Sequence, residues 1–484
     1  MHEIITPTEM YQADALAVEA GGSSLRLMER AGRAVAKVIM QRFKKCRVAV
    51  ICGPGNNGGD GFVAARLLAA KKWPVNLFIT SEASALRGDA AKMFDKWRGR
   101  THPFAALGTS FELHSKPQLI VDAIFGAGLN REMPKIWVDA IAAAGVPVVA
   151  VDVPSGLDGA TGRPIGACVK ADITVTFFRK KPGHLLLPGR GLCGEVVVAD
   201  IGIPPWVLDE VKPQLWENVA PVLPSIASDT HKYRRGHAVV LSGPEFATGA
   251  ARLAAMAAAR IGSGVVSIVG TAAALRVHAA HVSSIMLKEA DSEADLKAVL
   301  EDKRITALCL GPGAGAGAVL RRKVLAALRT EIACVLDADA LTSFEGHSHE
   351  LFHAIKTDLQ RSVVLTPHEG EFARLFNEIA ESHESKVERV RQAASLSGAI
   401  VLLKGADTVV GAPDGQAKIN ASAPAKLATA GSGDVLAGII TGLLAQGTDG
   451  FDAACSGAWL HGEAGNKVMR RSLIAEDLVD QIGR

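Results

Sequence analysis

GPGNNGGDGFVAARLLAAK, residues Gly53–Lys71, packs five glycines and two asparagines into its first nine positions. It follows the apolar run Arg47–Cys52 and leads into a helix-like stretch. Glycine lets the backbone approach a ligand closely. A strand, a glycine-rich turn and a helix N-terminus together make a site for anions, because free N–H groups and the helix dipole face outward. The alternative is a tight connection with no ligand, so the surrounding sequence has to decide. It alternates. Strands are expected at Arg47–Cys52, Pro74–Thr80, Gln118–Phe125, Val146–Val153, Asp172–Phe178 and Glu195–Ile203, with helices at Gly59–Lys71 and Ile136–Ala144. Such alternation predicts an α/β domain with a parallel sheet covered on both faces. Ligands of such sheets bind beyond the carboxyl ends of the strands, where NNGGDG, FGAG and VPSG fall.

The pattern lapses over Ile203–Ser228, which carries five prolines and little periodicity and reads as a linker or packed crossover. It restarts with strands at His237–Ser242, Val265–Val269, Thr306–Leu310, Ala333–Leu336, Val363–Leu365 and Ala399–Leu403. Helices follow at Gly249–Ile261, Ala318–Leu328, Gly433–Leu444 and Phe451–Val468. A length of 484 residues exceeds one usual core. Two α/β domains in series are expected, residues 1–218 and 222–484. A net charge of +3 on so long a chain gives no reason to expect nucleic acid or an anionic membrane. No apolar run approaches the roughly 20 residues that span a bilayer, and the acidic, proline-broken N-terminus is unlike a signal peptide. Seven scattered cysteines without a CxxC pair read as reduced thiols, mostly in the core, which points to the cytoplasm.

In the first domain three loops fall at strand ends: GNNGGDG (55–61), VDAIFGAGLNRE (121–132) and VDVPSGLDG (151–159). Asn57, Asp122 and Ser155 offer oxygens, the ligand type that hard cations prefer. Asp152 stands at a strand end as base or hydrogen-bond acceptor; Asp122 and Asp152 also read as helix caps or turn formers. With these loops, and with LMERAG (27–32), the segment up to about Ile203 resembles the NAD(P)H-hydrate epimerases, the N-terminal domain of the NAD(P)H-hydrate repair family. The resemblance implies a Rossmann-like three-layer α/β fold. It implies that Asn56, Asn57, Gly58, Gly59 and Asp60 cradle substrate phosphates. Gly126, Ala127, Gly128, Leu129, Asn130, Arg131, Glu132 and Asp152 would contact the substrate, and Asn57, Asp122 and Ser155 would bind potassium. GAGL stands here where the family often has GTGL.

The second domain's strongest signal is LATAGSGDVLAGII (427–440), a Gly-Ser-Gly-Asp turn opening an apolar helix. It presents N–H groups to an anion beside the Asp434 carboxylate, which could take a proton from a substrate hydroxyl as that oxygen meets a phosphoryl group. An N-capped helix with a glycine turn is the plainer alternative. GPGAGAG (311–317), TPHEGEF (366–372) and LLKGADTVV (402–410) accompany it. His-Glu-Gly-Glu lacks the histidine pair of a helical zinc site; Glu371 is expected to help order magnesium and water near phosphates. Lys404 reads as a phosphate contact or a surface lysine.

From about His231 to Arg484 this set resembles the nucleotide-dependent NAD(P)H-hydrate dehydratases of the same family, which implies a ribokinase-like α/β fold. Ala250, Gly313, His368 and Asp434 would then meet the hydrated nicotinamide. Lys404, Gly405, Ala406, Asp407, Thr408 and Gly433 would contact the adenine nucleotide. Kinases of this fold usually carry Asn-x-x-Glu where His368–Glu371 stands, which favours a dehydratase. In tandem the two sets imply an enzyme that epimerises R- and S-NAD(P)HX and dehydrates the S form with ADP or ATP. Asp434 and Asp152 would be catalytic, potassium would serve the first domain, and magnesium would accompany the nucleotide in the second. Two rivals stand beside this reading: a ribokinase-like small-molecule kinase, and a nucleotide-binding scaffold without turnover. The partners implied are NADHX, NADPHX and the adenine nucleotide, and a homo-oligomer is compatible with all of this.

Overall fold

The computed structural model describes residues 2–107, 116–223 and 229–483. Contacts divide the chain into two compact units, Met1–Leu215 and Trp216–Arg484.

In the first unit, β1 (Val48–Cys52), β2 (Val75–Ile79), β3 (Thr101–Pro103), β4 (Leu119–Ala123), β5 (Val148–Val151), β6 (Ile173–Phe177) and β7 (Glu195–Ala199) form one sheet. Its order is β3-β2-β1-β4-β5-β6-β7 and every pairing is parallel. β1 and β4 are buried at every position, as strands covered on both faces must be. The order reverses between β1 and β4, and such a reversal opens a crevice at the strands' carboxyl ends. β7 stops at Ala199, short of the expected Ile203, where the Asp200 carboxylate accepts from Gly202 N at 2.7 Å and turns the chain.

The helix after β1 starts at Asn56, not Gly59. Most of the glycine cluster is therefore helix, and its glycines serve packing. A Cβ on Gly58 would lie 1.9 Å from the Gly53 carbonyl, one on Gly59 2.5 Å from Met28 Sδ, and one on Gly61 2.6 Å from Cys52 Sγ. Two further helices, Pro7–Glu19 and Ser24–Arg42, precede β1. The first opens with a capping box in which Thr6 N donates to the Glu9 carboxylate at 2.6 Å.

The proline-bearing stretch is more ordered than a linker. It contains a helix at Val207–Val211 and β8 (Leu215–Glu217), while residues 224–228 lie outside the described residues. β8 is the edge of a second sheet with β9 (His237–Leu241), β10 (Val265–Gly270), β11 (Met286–Glu289), β12 (Ala307–Leu310), β13 (Ala333–Leu336), β14 (Val363–Leu365), β15 (Ile400–Leu403), β16 (Thr408–Gly411) and β17 (Ala417–Asn420). The order is β11-β10-β9-β12-β13-β14-β15-β16-β17-β8. Pairings from β11 to β15 are parallel, and β15-β16-β17 are antiparallel. The strand order reverses again, between β9 and β12. Helix Ser432–Ala445 is buried along nearly its whole length. It packs closely on Gly249–Arg260, because a Cβ on Gly438 would lie 2.2 Å from the Ala254 carbonyl. Among the described residues no helix is long and apolar enough to cross a membrane.

Candidate active sites

At the β1/β4 reversal lies a cleft of about 340 Å³. Asn56, Asn57, Asp60, Gly126, Ala127, Gly128, Leu129, Asn130, Arg131 and Asp152 all line it. Gly58, Gly59 and Glu132 do not: the two glycines are turned into the protein by the contacts above, and Glu132 is exposed beside the rim. The turn has the spacing G-x-G-x-x-G at Gly53, Gly55 and Gly58. A Cβ at Gly53 would meet the Ile124 carbonyl at 1.9 Å, and one at Gly58 the Gly53 carbonyl, whereas Gly55 has nothing within 4 Å. Two glycines hold the turn and helix tight while Gly55 leaves its backbone open to a ligand at the helix N-terminus, the division of labour that suits diphosphate binding.

Asp152 sits directly after β5 with φ +66°, a left-handed conformation that a non-glycine residue adopts at a cost. Its carboxylate accepts from Ala127 N at 2.9 Å and Thr176 Oγ1 at 3.0 Å, and pairs with Lys181 Nζ at 2.9 Å. Lys181 is only 1% exposed, and its ammonium also donates to Thr176 Oγ1. His184 accepts Lys181 N at Nδ1 and reaches the Asp152 carbonyl through Nε2 at 2.8 Å, an arrangement that needs the Nε2–H tautomer. Burial pushes His184 down to about 4, which keeps it neutral. Burial alone would raise Asp152, but Lys181, Ala127 N and His184 together hold it down at about 2. It is a fixed anion and a poor proton acceptor. Two other carboxyls of the cleft are pushed the other way: burial, opposed by Lys181, lifts Asp14 to about 6, and burial with Asp152 and Asp14 lifts Asp60 well up.

Asp122, on β4 and fully buried, accepts from Ser155 N at 2.8 Å and Ser155 Oγ at 2.6 Å. Burial pushes it up to about 6 against those hydrogen bonds. Asn57 and Asp152 both face Gly126. A Cβ on Gly126 would lie 3.2 Å from Asn57 Oδ1 and 3.0 Å from Asp152 Oδ2, and Asn57 Nδ2 is buried without a partner. The described residues hold no cluster of three His, Cys, Asp or Glu able to bind a metal. A single carboxylate with an amide, a hydroxyl and backbone carbonyls fits a monovalent cation better than a divalent one.

In the second unit Asp337, Thr366 and Lys404 follow the adjacent strands β13, β14 and β15. Asp337 is 1% exposed and accepts from Thr366 Oγ1 at 2.9 Å and Lys404 Nζ at 2.8 Å. Lys404 also faces Glu371 at 3.6 Å, and the two anions raise its ammonium against the effect of burial. His368 caps helix Glu369–Leu375, accepting from Gly370 N at 2.9 Å, while its own N–H donates to Glu371 Oε2 at 2.8 Å. Gly431, at φ +82°, opens the buried helix Ser432–Ala445. A Cβ on Gly433 would lie 3.6 Å from Lys404 Nζ and 3.9 Å from Asp337 Oδ2, so the GSGD turn meets the strand-end charges. Next in line, Asp434 is lifted to about 6 by burial, then by Asp337 and Asp339, with Lys404 opposing.

A cavity of about 600 Å³ adjoins this centre and is lined by His368, Lys404, Gly405, Ala406, Thr408 and Gly433, with Asn420, Leu427, Ser432, Leu436 and His461. Asp407 does not line it; its carboxylate is held by Lys386 Nζ at 2.8 Å. Ala250 and Gly313 do not line this cavity; they sit together at the β9/β12 reversal, where a Cβ on Gly313 would lie 3.2 Å from Ala250 Cβ. Sequence reasoning missed Lys181, His184, Asp14, Asp337 and Asp339. Of these, Asp337 and Asp339 were accessible, because Asp-Ala-Asp follows a predicted strand.

Residues 24–183 match the family model described as YjeF-related protein N-terminus, and residues 238–484 match that described as NAD(P)H-hydrate dehydratase. The chain is 36% identical to the bifunctional NAD(P)H-hydrate repair enzyme of Moorella thermoacetica, covering 99% of this chain and 95% of that one. It is 33% identical to the Escherichia coli enzyme of the same name, covering 95% and 88%. A solved ADP/ATP-dependent NAD(P)H-hydrate dehydratase of Bacillus subtilis, co-crystallised with ATP and magnesium, is 27% identical over 54% of this chain and 92% of that one, with a TM-score of 0.46. With relatives this similar along nearly its whole length, the chain belongs to the bifunctional NAD(P)H-hydrate repair enzymes.

Proposed function

We propose that the chain restores hydrated NADH and NADPH in two steps, one in each unit. The first unit interconverts the R and S epimers. The second takes the S epimer, transfers a phosphoryl group from ADP or ATP to its 6-hydroxyl, and eliminates phosphate. Departure of phosphate, with a proton lost from the neighbouring ring carbon, restores the double bond. Phosphate leaves far more readily than hydroxide, which is why a nucleotide is consumed.

One observation carries the second step: Asp434 stands in the helix-opening turn whose Gly433 lies against Lys404 and Asp337, and burial with Asp337 raises its affinity for protons. It takes the hydroxyl proton as the phosphoryl group arrives, while the N–H groups of the GSGD turn and Lys404 hold the phosphates. His368, Gly313 and Ala250 are assigned to the hydrated ring, and Lys404–Thr408 with Gly433 to the nucleotide, where Thr408 shapes the turn by donating to the Gly405 carbonyl at 2.7 Å. Bound magnesium would neutralise nucleotide phosphate charge, held mainly by those phosphates with Glu371 close by.

In the first unit Gly55, Asn56 and Asn57 present the helix N-terminus to the diphosphate. Asp152, kept ionised by Lys181, orients the ring through its fixed charge. Asp14, lifted to about 6, is a carboxyl that can carry a proton near neutrality as the ring opens and recloses, and Asp60 beside it is pushed up by burial. Potassium, held by Asn57, Asp122 and Ser155, would supply a positive charge beside the substrate.

The test is to incubate the chain with a mixture of both epimers. Without nucleotide the two should only interconvert; with ADP or ATP both should disappear as NADH forms. Persistence of the R epimer after all S epimer is consumed would remove the epimerase assignment.

A further inference from the structure

A second cavity, of about 850 Å³, opens at the carboxyl ends of β2 and β3. These strands continue the sheet from β1 on the side away from β4, so the cavity lies on the same edge as the first cleft. Its walls include the aromatic rings of Phe104 and Trp137 and the imidazole of His102. The two larger rings touch, with centroids 5.2 Å apart, and Trp137 stacks on Phe125 at 6.4 Å and 19°. Phe125 lines the first cleft. A continuous aromatic wall therefore runs from one cavity to the other. Ser81 Oγ, at the end of β2, is buried with no hydrogen-bond partner. The next residue, Glu82, is exposed at the cavity mouth, and no lysine or arginine is among the described residues that line it.

We propose that this cavity seats the adenosine end of the hydrated dinucleotide and that Glu82 makes the first unit favour NADHX over NADPHX. The inference rests on the epimerase reading of this unit. With the diphosphate at Gly55 and the hydrated ring beside Asp152, the adenosine must continue past β1 towards β2 and β3. Adenine is a flat π-system suited to stacking on Trp137 and Phe104. Ser81, at the same strand end, carries a buried hydroxyl that makes no hydrogen bond within the protein. A carboxylate after the second strand of such a sheet suits a ribose 2′-hydroxyl, whereas a 2′-phosphate needs a cation. Glu82 supplies the first and repels the second.

The experiment measures epimerisation of NADHX and NADPHX by the full chain and by Glu82→Arg and Glu82→Gln, with kcat and KM separated. The native chain should show a KM for NADHX lower by about tenfold or more, the scale on which one charged contact discriminates. Glu82→Arg should reverse the order through KM while kcat stays level, and Glu82→Gln should narrow the gap. AMP should inhibit epimerisation competitively and 2′-phospho-AMP much more weakly, with the order reversed in Glu82→Arg. Equal KM values in the native chain, unmoved by either substitution, overturn the subsite while leaving the epimerase standing. Failure of the native chain to epimerise either hydrate overturns the reading of the unit and this subsite with it.

Discussion

Asp434→Asn tests the chemistry of the second unit most directly, because it removes a charge and keeps the shape. Burial and two neighbouring carboxylates lift Asp434 to about 6. At neutral pH such a group is mostly ionised, yet it binds a proton more readily than an ordinary carboxylate. Losing a positioned general base costs roughly 10²–10⁴-fold in rate, or about 3–5 kcal/mol of barrier. Dehydration of pure S epimer at saturating ADP, followed by the returning dihydronicotinamide absorbance, should fall by that factor. Epimer exchange, measured on the same sample without nucleotide, should not change. The sign of the pH dependence follows from the base role: native activity rises with pH through about 6 and then levels, while the residual activity of Asp434→Asn lacks that inflection. Lys404 opposes the lift, so Lys404→Met should move the inflection upward as well as raise the nucleotide KM. A variant that dehydrates within threefold of the native rate, or one that retains the inflection near 6, would refute the assignment.

Lys181→Met breaks a buried pair and leaves Asp152 without its cation, a loss of about 3–5 kcal/mol in denaturant unfolding. Because the native pairing depresses Asp152, its stabilisation is complete above the ordinary carboxylate range and lost as pH falls through about 2; in the variant burial instead favours the protonated carboxyl, so the stability gap between native chain and variant should narrow as pH falls. Asp122→Ala should abolish any advantage of potassium over sodium in epimerisation, and an advantage that survives would place the ion elsewhere. Gly59→Ala drives a methyl to 2.5 Å from Met28 Sδ and should cost about 1–3 kcal/mol, relieved in the double variant with Met28→Ala. The structure moves the expected boundary from 218/222 to Leu215/Trp216: a fragment of residues 216–484 should consume the S epimer alone and stop, and a fragment of residues 1–215 should restart it; rapid use of both epimers by the C-terminal piece would contradict this.

The central parallel strands were legible because they are apolar at nearly every position, so a run such as Val48–Cys52 announces itself, whereas edge strands such as β3 and β11, short and partly polar, went unread. The N-terminal helices went unread although Thr6 and Glu9 spell a capping box. In Pro7–Glu19 only Ala13 and Ala17 are buried, so the helix carries too narrow an apolar stripe for periodicity to show. In the glycine cluster the sequence leaves open which glycines serve packing and which leave backbone open. Sequence shows that glycines are present; only packing shows that Gly58, Gly59 and Gly61 face neighbours too close for a Cβ, whereas Gly55 faces open space. Charges that act through partners distant in the chain were the least legible. Lys181 lies in a stretch of basic residues that reads as solvated surface, and nothing local reveals that its ammonium is buried against Asp152.

That pairing separates the work of the two units. Each sets a carboxylate at the end of a parallel strand or the start of the helix beside it, next to a glycine turn suited to phosphate. Asp152 has a buried lysine at 2.9 Å, a backbone N–H and a hydroxyl, and is held at about 2. Asp434 has carboxylates for its main neighbours, shares its one cation with Asp337 and Glu371, and rises to about 6. When environments push two like groups apart in this way, their roles separate too. On the function proposed above, the first is a fixed charge that orients the substrate, with Asp14 and Asp60, both raised by burial, beside it in the same cleft. The second becomes a base that is ionised at rest and able to hold a proton once phosphoryl transfer begins. On that proposal the same side chain serves an isomerisation, where nothing is consumed, and a nucleotide-driven elimination, and the cation beside it sets which role it takes.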